Sequence, residues 1–331
     1  MNAQPPERPQ AGPLTAVQWQ ALCAWRPEWR ERPPATEPLV PDASSRRYAR
    51  LADATASFVV MARPQGFDPD TDDFLRLAAF FRRHQWPVPA ITAVLAEAGL
   101  VVLEDLGDIF LHAAAGLQWY EGAVDLLVDL QCIGPPSDPA TPPWNRRFDA
   151  LFYQRELTLF IDAFQALTER QDGVLRDAFL RATAPLCEAL AALPLVVCHR
   201  DYHRRNLLIA AGRIRPIDFQ DARLGPRAYD LVSLLEDPYA GLDATQRHHL
   251  LARYRSASDT PVGDDAYALA ACQRLLKAAG TYANQATAFH NDAYLPYLTP
   301  ALAGARRAAI RLSTSLAATL DRLLATWEAR R

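Results

Sequence analysis

Apolar residues recur at helical and at strand-like spacings along the first hundred positions. Helical spacing predicts a short helix from Thr15 to Arg26, and the Pro-rich segment 32–41 follows it. Two strand-like runs, Arg47–Leu51 and Ser57–Met61, predict a hairpin. The other elements predicted in this part of the chain are a helix over 72–84 and strands over 91–96 and 100–103. The polar segment Glu104–Gly107 that follows them is interpreted as a hinge.

Helices are predicted to dominate the rest of the chain. Helical spacing covers six segments: 119–132, 149–166, 173–192, 245–256, 265–289 and 300–330. The strands expected among these helices lie between Leu195 and Leu231. The pattern therefore predicts an α+β chain in three parts: an N-terminal leader with a short helix (1–40), a lobe with a small antiparallel sheet (41–106) and a larger, mostly helical lobe (107–331).

Composition and charge exclude two classes of partner. At 331 residues and 50% hydrophobic content, the chain is long enough to bury the cores of two lobes. Its net charge of -3 and the lack of a dense Lys/Arg cluster argue against a nucleic-acid partner. No apolar segment approaches the length of a membrane span, so we expect no membrane partner either.

Cysteine usage and the N-terminal residues indicate the compartment. The five cysteines are scattered and include no C-x-x-C pair, which favours reduced thiols. Segment 1–13 is polar and Pro-rich, and it lacks the apolar core of a signal peptide. We therefore expect a cytoplasmic protein.

The richest chemical pattern lies between Leu195 and Leu231. The letters HRD at 199–201, followed by Asn206, match the H-R-D-x-x-x-x-N catalytic loop of kinases. The letters IDF at 217–219 stand where the magnesium-binding D-F-G motif is expected. Together these spacings indicate phosphoryl-transfer chemistry.

Three side chains of this stretch suit that chemistry. Asp201 follows an apolar strand and is expected to accept or orient the proton of an acceptor hydroxyl. Asn206 and Asp218 offer an amide and a carboxylate oxygen, which are ligands that Mg2+ prefers. The apolar runs between Asn206 and Asp218 predict a hairpin whose open ends bring the two side by side. Ordinary polar residues at strand ends would explain any one of the three positions but not their joint spacing.

Two scaffold residues and two competing interpretations accompany this assignment. His199 and Asp230 are predicted to support the loop, with Asp230 capping a helix and hydrogen-bonding the backbone of the HRD segment. A transition-metal site built from His199, Asp201 and His203 is the first competing interpretation, but it leaves Asp218 unexplained. The second is a nucleotide-binding protein without turnover, which is disfavoured because all three chemical side chains are present.

These motifs resemble the aminoglycoside phosphotransferase and choline kinase superfamily. Within it, the chain most closely resembles the bacterial kinases that act on the anomeric hydroxyl of N-acetylmuramate and N-acetylglucosamine, with further similarity in segments 42–48, 102–107 and 225–231. The resemblance implies a bilobal protein-kinase-like fold, ATP and Mg2+ as cofactors, and a small-molecule amino sugar as acceptor. It leaves open another acceptor of the superfamily, such as an aminoglycoside, choline or homoserine.

The resemblance also suggests which residues bind the nucleotide. They are Ser44, Ser45, Arg46, Arg47, Arg63, Glu104 and Leu106. The first four lie in the segment that takes the place of the nucleotide-covering loop, where backbone N–H groups and arginines would meet phosphate oxygens. Arg63 is the candidate substitute for the strand lysine of protein kinases, since Lys277 is the only lysine in the chain. Backbone groups from Glu104 to Leu106 would contact adenine.

The acceptor is predicted to be a small molecule held by the helical lobe. The segment after Asp218 leaves no room for the long activation segment of a protein kinase. The candidate acceptor residues are Tyr153, Glu156, Asp221 and Lys277. Lys277 would meet the lactate carboxylate of N-acetylmuramate or lie on a solvated face. Asp221 would be a second carboxylate beside the metal or a surface charge.

Overall fold

The chain divides into two compact units, residues 1–108 and 109–331. The structure is a computed structural model that describes residues 14–39, 46–111, 116–136 and 138–330. Each unit is described by itself below. No helix in these described ranges is long and apolar enough to cross a membrane.

The first unit contains a five-stranded antiparallel sheet in the order β1-β2-β3-β5-β4. Its strands are β1 (Ala35–Leu39), β2 (Arg47–Ala52), β3 (Ser57–Ala62), β4 (Ile91–Leu95) and β5 (Leu100–Glu104). The predicted hairpin is β2–β3, in which Leu51 pairs with Phe58. The sequence analysis missed β1, because this edge strand is mostly exposed and carries Pro38 instead of an apolar alternation.

Helix α1 (Ala16–Trp25) and the 3-10 turn Pro27–Arg30 pack against this sheet. Thr15 starts α1 with a capping box, in which its hydroxyl accepts the backbone N–H of Gln18. Leu22 and Trp29 are fully buried in the same apolar cluster as residues of β2, β3 and β5. Helix α1 and the 3-10 turn therefore contribute to the core of this unit, whereas the sequence pattern placed 1–40 ahead of the lobe. The remaining helix of the unit is α2 (Asp73–Arg83).

The second unit is mostly helical, as predicted. Its helices are α3 (Gln118–Gln131), α4 (Ala150–Thr168), α5 (Gly173–Ala191), α6 (Ala228–Leu235), α7 (Ala244–Ala257), α8 (Asp264–Ala288), α9 (Leu298–Leu312) and α10 (Thr314–Glu328). α8 packs against α4 and α9. The approach to α4 requires a glycine, because a Cβ at Gly280 would lie 2.8 Å from Cα of Phe160.

The prediction of one helix over 300–330 is wrong. The chain leaves the helical conformation at Ser313, whose backbone is extended (φ -162°, ψ 127°). The Ser313 hydroxyl accepts the backbone N–H of Leu316 at 3.3 Å and so caps α10. Neither glycine nor proline marks this break, so the apolar spacing runs through it unchanged.

Two small antiparallel ribbons carry the chemical motifs. The first pairs β6 (Leu195–Cys198) with β9 (Arg223–Pro226), and the second pairs β7 (Leu207–Ala210) with β8 (Arg213–Pro216). The β7–β8 hairpin confirms the prediction from the apolar runs. β9 was not predicted, because glycine and proline are uncommon inside strands, whereas Gly225 here pairs with Val196.

Candidate active site

The carboxylate of Asp230 anchors the loop that follows β6. Its Oδ2 accepts the backbone N–H of His199 at 2.6 Å, and its Oδ1 accepts that of Arg200 at 3.0 Å. These bonds confirm the predicted contact with the HRD segment. The prediction that Asp230 caps a helix is wrong, because α6 begins at Ala228 and Asp230 lies within its first turn. The bonds hold Arg200 at φ 85°, a left-handed conformation that side-chain-bearing residues rarely adopt.

Burial shifts both scaffold residues toward their neutral forms. It raises the pKa of Asp230 to about 7, although the two backbone N–H donors act in the opposite direction. It lowers the pKa of His199, although the charges of Asp218 and Asp201 act to raise it. The neutral imidazole of His199 donates from Nε2 to the backbone oxygen of Ile217 at 2.9 Å. This bond ties the loop to the residue that precedes Asp218.

Asn206 and Asp218 lie at the open end of the β7–β8 hairpin. The backbone N–H of Ile217 donates to the backbone oxygen of Asn206 at 2.9 Å, which brings the two hairpin ends together as predicted. Nδ2 of Asn206 donates to the backbone oxygen of Asp201 at 3.0 Å, so the amide oxygen is the free end of that side chain. Asp218 is also held in the left-handed region, at φ 64°.

The oxygens of this pair suit a hard cation. Gln220 Nε2 donates to Oδ1 of Asp218 at 2.5 Å, and no described donor reaches Oδ2. The amide oxygen of Asn206 and Oδ2 of Asp218 therefore remain the predicted ligands of a cation. No group of three or more His, Cys, Asp or Glu side chains forms a metal cluster in the described ranges. Two protein oxygens, completed by waters and substrate phosphates, are typical of Mg2+.

Two cations hold the carboxylate of Asp201 from one side. Nζ of Lys277 lies 2.8 Å from Oδ1, and Nη2 of Arg274 lies 3.1 Å from the same oxygen. Both residues are on α8, and Nε of Arg274 also donates to the hydroxyl of Ser233 on α6. No donor from the described part of the chain reaches Oδ2 of Asp201. One carboxylate oxygen is therefore anchored, and the other is available to a ligand.

These ion pairs keep Asp201 ionised. Burial raises its pKa, but the charges of Lys277 and Arg274 more than offset that effect and hold the pKa well below its usual range. A carboxylate with such a low pKa is a weak base. Its chemistry is to orient a hydroxyl and to accept a proton only from an acidic one.

Comparison with known proteins identifies the family of this chain. The profile of the phosphotransferase enzyme family matches residues 35–268, from β1 into α8. This chain belongs to the phosphotransferase enzyme family. The match covers the HRD loop, Asn206 and Asp218, so the resemblance inferred from these motifs is confirmed.

Relatives and a solved structure agree with this assignment. The N-acetylmuramate/N-acetylglucosamine kinase of Pseudomonas aeruginosa is 35% identical over 68% of this chain and 67% of its own length. The kinase of the same name from Neisseria meningitidis is 31% identical over 82% of this chain and 84% of its own length. The crystal structure of the choline kinase LicA from Streptococcus pneumoniae superposes with a TM-score of 0.60 at 15% identity, covering 87% of this chain and 99% of that one. The last comparison confirms the predicted protein-kinase-like α+β fold.

Two predicted acceptor residues of the phosphotransferase surround Arg200. Nη1 of Arg200 lies 3.0 Å from Oδ2 of Asp221, and its Nη2 lies 3.7 Å from Oε1 of Glu156. The other carboxylate oxygen of Glu156 accepts from Nε2 of Gln273 at 2.8 Å. Asp221 is half-exposed, whereas Glu156 is almost buried. Both acids brace the catalytic loop through Arg200, and contact of either with an acceptor stays a prediction.

Tyr153 requires a correction. Its side chain is fully buried, and its ring stacks on that of Phe148 at 5.3 Å between centroids and lies 6.5 Å from that of Tyr229. A ring inside the core does not contact an acceptor, so Tyr153 is a packing residue. Its position on α4 has helical spacing, which does not distinguish a pocket-facing aromatic from a core one.

Four tyrosines near α8 form a surface that sequence reasoning largely missed. This tyrosine cluster consists of Tyr239, Tyr282, Tyr294 and Tyr297. Tyr282 lies on α8, whereas the others follow α6 or belong to the 3-10 turn Asp292–Tyr297. Only Tyr282 has helical spacing to the residues that bind Asp201. The other three come from two segments outside α8, and nothing in the sequence pattern predicts that they meet.

The nucleotide-binding predictions fall on the first unit. Ser44 and Ser45 lie outside the described residues. The guanidinium carbon of Arg46 lies 5.9 Å from the ring centroid of Phe74, and Nη2 of Arg47 donates to Oε1 of Gln18 at 3.5 Å. Their contact with a nucleotide stays a prediction.

Arg63 has an acidic partner that the sequence analysis did not find. Its guanidinium binds both carboxylate oxygens of Asp72, the residue that caps α2 by accepting the backbone N–H of Leu75. A basic residue at the end of β3 is thus tied to the start of α2. The pair parallels the lysine–glutamate pair of protein kinases.

The predicted hinge is held by side chains of its own unit. Oε2 of Glu104 accepts the backbone N–H of Ala90 at 3.0 Å, and Leu106 is nearly buried. Asp105 between them accepts two hydrogen bonds from Arg50, at 2.8 and 3.2 Å. Contact of this segment with adenine stays a prediction.

Replacing Lys277 by methionine is expected to move the acidic limb of the pH profile of kcat/KM to higher pH. The lysine charge lowers the pKa of Asp201, so its removal raises that pKa. The measurement is the pH dependence of kcat/KM for the wild type and Lys277→Met. Lys277→Arg keeps the charge and is expected to leave the limb nearly in place. If both variants lose the same fraction of kcat/KM and the acidic limb stays at its wild-type pH, Lys277 acts only through packing.

Proposed function

We propose that this phosphotransferase transfers the γ-phosphoryl group of ATP to the anomeric hydroxyl of an N-acetylated amino sugar, N-acetylmuramate or N-acetylglucosamine or both. Two relatives above 30% identity carry the name of this activity, which supports the acceptor class. The choice of the anomeric hydroxyl rests on the two ion pairs that Lys277 and Arg274 form with Asp201. The hemiacetal hydroxyl is the most acidic hydroxyl of a sugar, and it matches a weakly basic carboxylate.

The described residues suggest how the acceptor is activated. Oδ2 of Asp201 would accept the hydrogen bond of the anomeric hydroxyl and aim its oxygen at the phosphorus. Lys277 and Arg274 hold Oδ1, so the carboxylate keeps its orientation while the proton leaves the hydroxyl. Most of the catalysis then comes from positioning and charge, as is general for phosphoryl transfer.

We further propose that Asn206 and Asp218 bind Mg2+ through the amide oxygen and Oδ2. When bound, the ion neutralises charge that develops on the transferred group. The two side chains fit this task, because they lie at the joined ends of one hairpin and each is fixed through its other polar atom. Nδ2 of Asn206 is bonded to Asp201, and Oδ1 of Asp218 is bonded to Gln220.

A small acceptor and a reducing compartment also fit the structure. α6 begins at Ala228, soon after Asp218, so the described chain has no platform for a protein substrate in that interval.

All five cysteines are free thiols, and four of them are buried. Free buried thiols support the cytoplasm as the place of action.

The acceptor panel that tests this proposal measures ADP formation with N-acetylglucosamine, N-acetylmuramate, kanamycin, choline and homoserine. We expect kcat/KM for the amino sugars to exceed that for each other acceptor by at least about a hundredfold. The 1-O-methyl glycoside of N-acetylglucosamine is the matched control, because it lacks only the anomeric hydroxyl, and it is expected to be inert.

Two outcomes would contradict the proposal. Turnover confined to kanamycin, choline or homoserine would assign the chain to another acceptor of the superfamily. Binding of ATP without turnover of any acceptor would identify a nucleotide-binding protein that performs no transfer.

A further inference from the structure

The tyrosine cluster forms an aromatic cage. The ring centroids of Tyr239 and Tyr297 are 4.3 Å apart, and those of Tyr239 and Tyr282 are 5.5 Å apart. Tyr294 stacks on Tyr282 at 6.0 Å with 12° between the ring planes. Tyr239, Tyr294 and Tyr297 are partly exposed, whereas Tyr282 is buried, so the cage opens toward solvent.

A cation of the chain lies against two rings of this cage. The guanidinium carbon of Arg205 lies 4.6 Å from the ring centroid of Tyr239 and 5.6 Å from that of Tyr294. Both distances are within the range of cation–π attraction. Arg205 belongs to the catalytic loop and immediately precedes Asn206, so its side chain connects the cage to the predicted metal site.

The cage also adjoins the residues that hold Asp201. Tyr282 is on α8 with Arg274 and Lys277, both of which bind Oδ1 of Asp201. Burial raises the pKa of Tyr282, and the charges of Arg274 and Arg205 act to lower it, which places both arginines within electrostatic reach of this ring. The cage therefore lies on the side of the catalytic loop from which α8 approaches Asp201.

Aromatic cages of this kind bind quaternary ammonium groups in proteins. We propose that Arg205 fills the tyrosine cluster as an internal cation and thereby excludes acceptors that carry a quaternary ammonium group. An external ammonium would have to displace the guanidinium or share the cage with a like charge, and both are unfavourable. Arg205 is thus a specificity-determining residue. It disfavours acceptors with a quaternary ammonium group, so the acceptors that can bind are neutral or anionic.

The test measures binding of tetramethylammonium to the full-length chain by ligand-observed NMR and calorimetry. We expect no binding to the wild type and binding at least about tenfold tighter to Arg205→Ala, because the substitution empties the cage. Arg205→Lys keeps a cation in the cage and is expected to behave as the wild type does. Arg176→Ala is the surface control, since Arg176 forms its ion pair with exposed Asp162.

A double variant assigns the new binding to the cage. Adding Tyr239→Leu to Arg205→Ala is expected to abolish the gain, because Tyr239 contacts the guanidinium most closely. Wild-type binding as tight as that of Arg205→Ala would overturn the proposal. A folded Arg205→Ala chain that gains no binding would overturn it as well.

A measurement on the wild type tests the proposal even if Arg205→Ala does not fold. Stacking on tyrosine rings is expected to shift the Hε resonance of Arg205 upfield, and Tyr239→Leu is expected to return it toward the position of a solvated arginine. An unshifted resonance in the wild type would overturn the proposal. Tetramethylammonium has no hydroxyl and is not a substrate, so these results do not depend on the acceptor proposed above.

Discussion

Asp201→Asn is expected to lower kcat by about a thousandfold and to leave the fold intact. The amide has the shape of the carboxylate but neither its charge nor its ability to accept a proton. It also leaves Lys277 and Arg274 without their anionic partner, so they no longer fix the side chain by ion pairs. The measurement is steady-state turnover at saturating ATP and acceptor, with thermal unfolding by circular dichroism as the check on folding.

Asp162→Asn is the matched control for Asp201. Asp162 also forms an ion pair, at 2.7 Å to Nε of Arg176, but it lies on the exposed face of α4. We expect its turnover to equal that of the wild type. Normal turnover by a folded Asp201→Asn chain would remove Asp201 from the reaction and with it the account of the catalytic loop.

Asp218→Asn is expected to lower kcat by about a hundredfold and to raise the Mg2+ concentration needed for half-maximal rate. The substitution keeps an oxygen in place but removes the negative charge that attracts a divalent ion, and such interactions amount to several kcal/mol. At about 1.4 kcal/mol per tenfold change in rate, a loss of about 3 kcal/mol gives the expected effect. The measurement is a Mg2+ titration of the initial rate.

Asp221→Asn is the matched control, because Asp221 is a nearby half-exposed carboxylate. It pairs with Arg200 at 3.0 Å, and the structure gives it no bond to Asn206 or Asp218. Its loss is expected to be small and independent of Mg2+. A larger Mg2+ dependence in Asp221→Asn than in Asp218→Asn would reassign the metal ligand.

The catalytic loop could be predicted because its information is local. Asp201 and Asn206 are five positions apart in one loop, and the apolar runs between Asn206 and Asp218 fold into one hairpin, so short-range spacing brings the three together. The hydrogen bonds of Asp230 to the loop were also predicted, although their partners are 31 and 30 positions away. The prediction that Asp230 caps a helix was wrong. Aspartate favours N-cap positions, but this preference does not determine at which residue a short helix begins.

The ion pairs of the site could not be predicted, because their partners are distant in the chain. Lys277 and Arg274 reach Asp201 from α8, more than seventy positions away. Single-sequence spacing has no information on such contacts. The same limit hid the tyrosine cluster, whose members come from three elements, and the fully buried position of Tyr153.

The pairing of Arg63 with Asp72 shows a different limit. The two are only nine positions apart in sequence, but an aspartate at a helix N-cap is explained by capping alone, so the pattern does not indicate an ion pair with Arg63. Strand β1 was missed for a physical reason, since an exposed edge strand lacks the apolar alternation that makes strands recognisable.

The position of the new phosphate tests the central proposal most directly. Phosphorus NMR of the product formed from N-acetylglucosamine and ATP, with proton coupling resolved, distinguishes a phosphate on the anomeric carbon from one on C6. Our account predicts that the phosphorus couples to the single anomeric proton, as in a 1-phosphate. Coupling to the two protons of C6 would contradict it, because an ordinary alcohol would then be the hydroxyl that Asp201 activates.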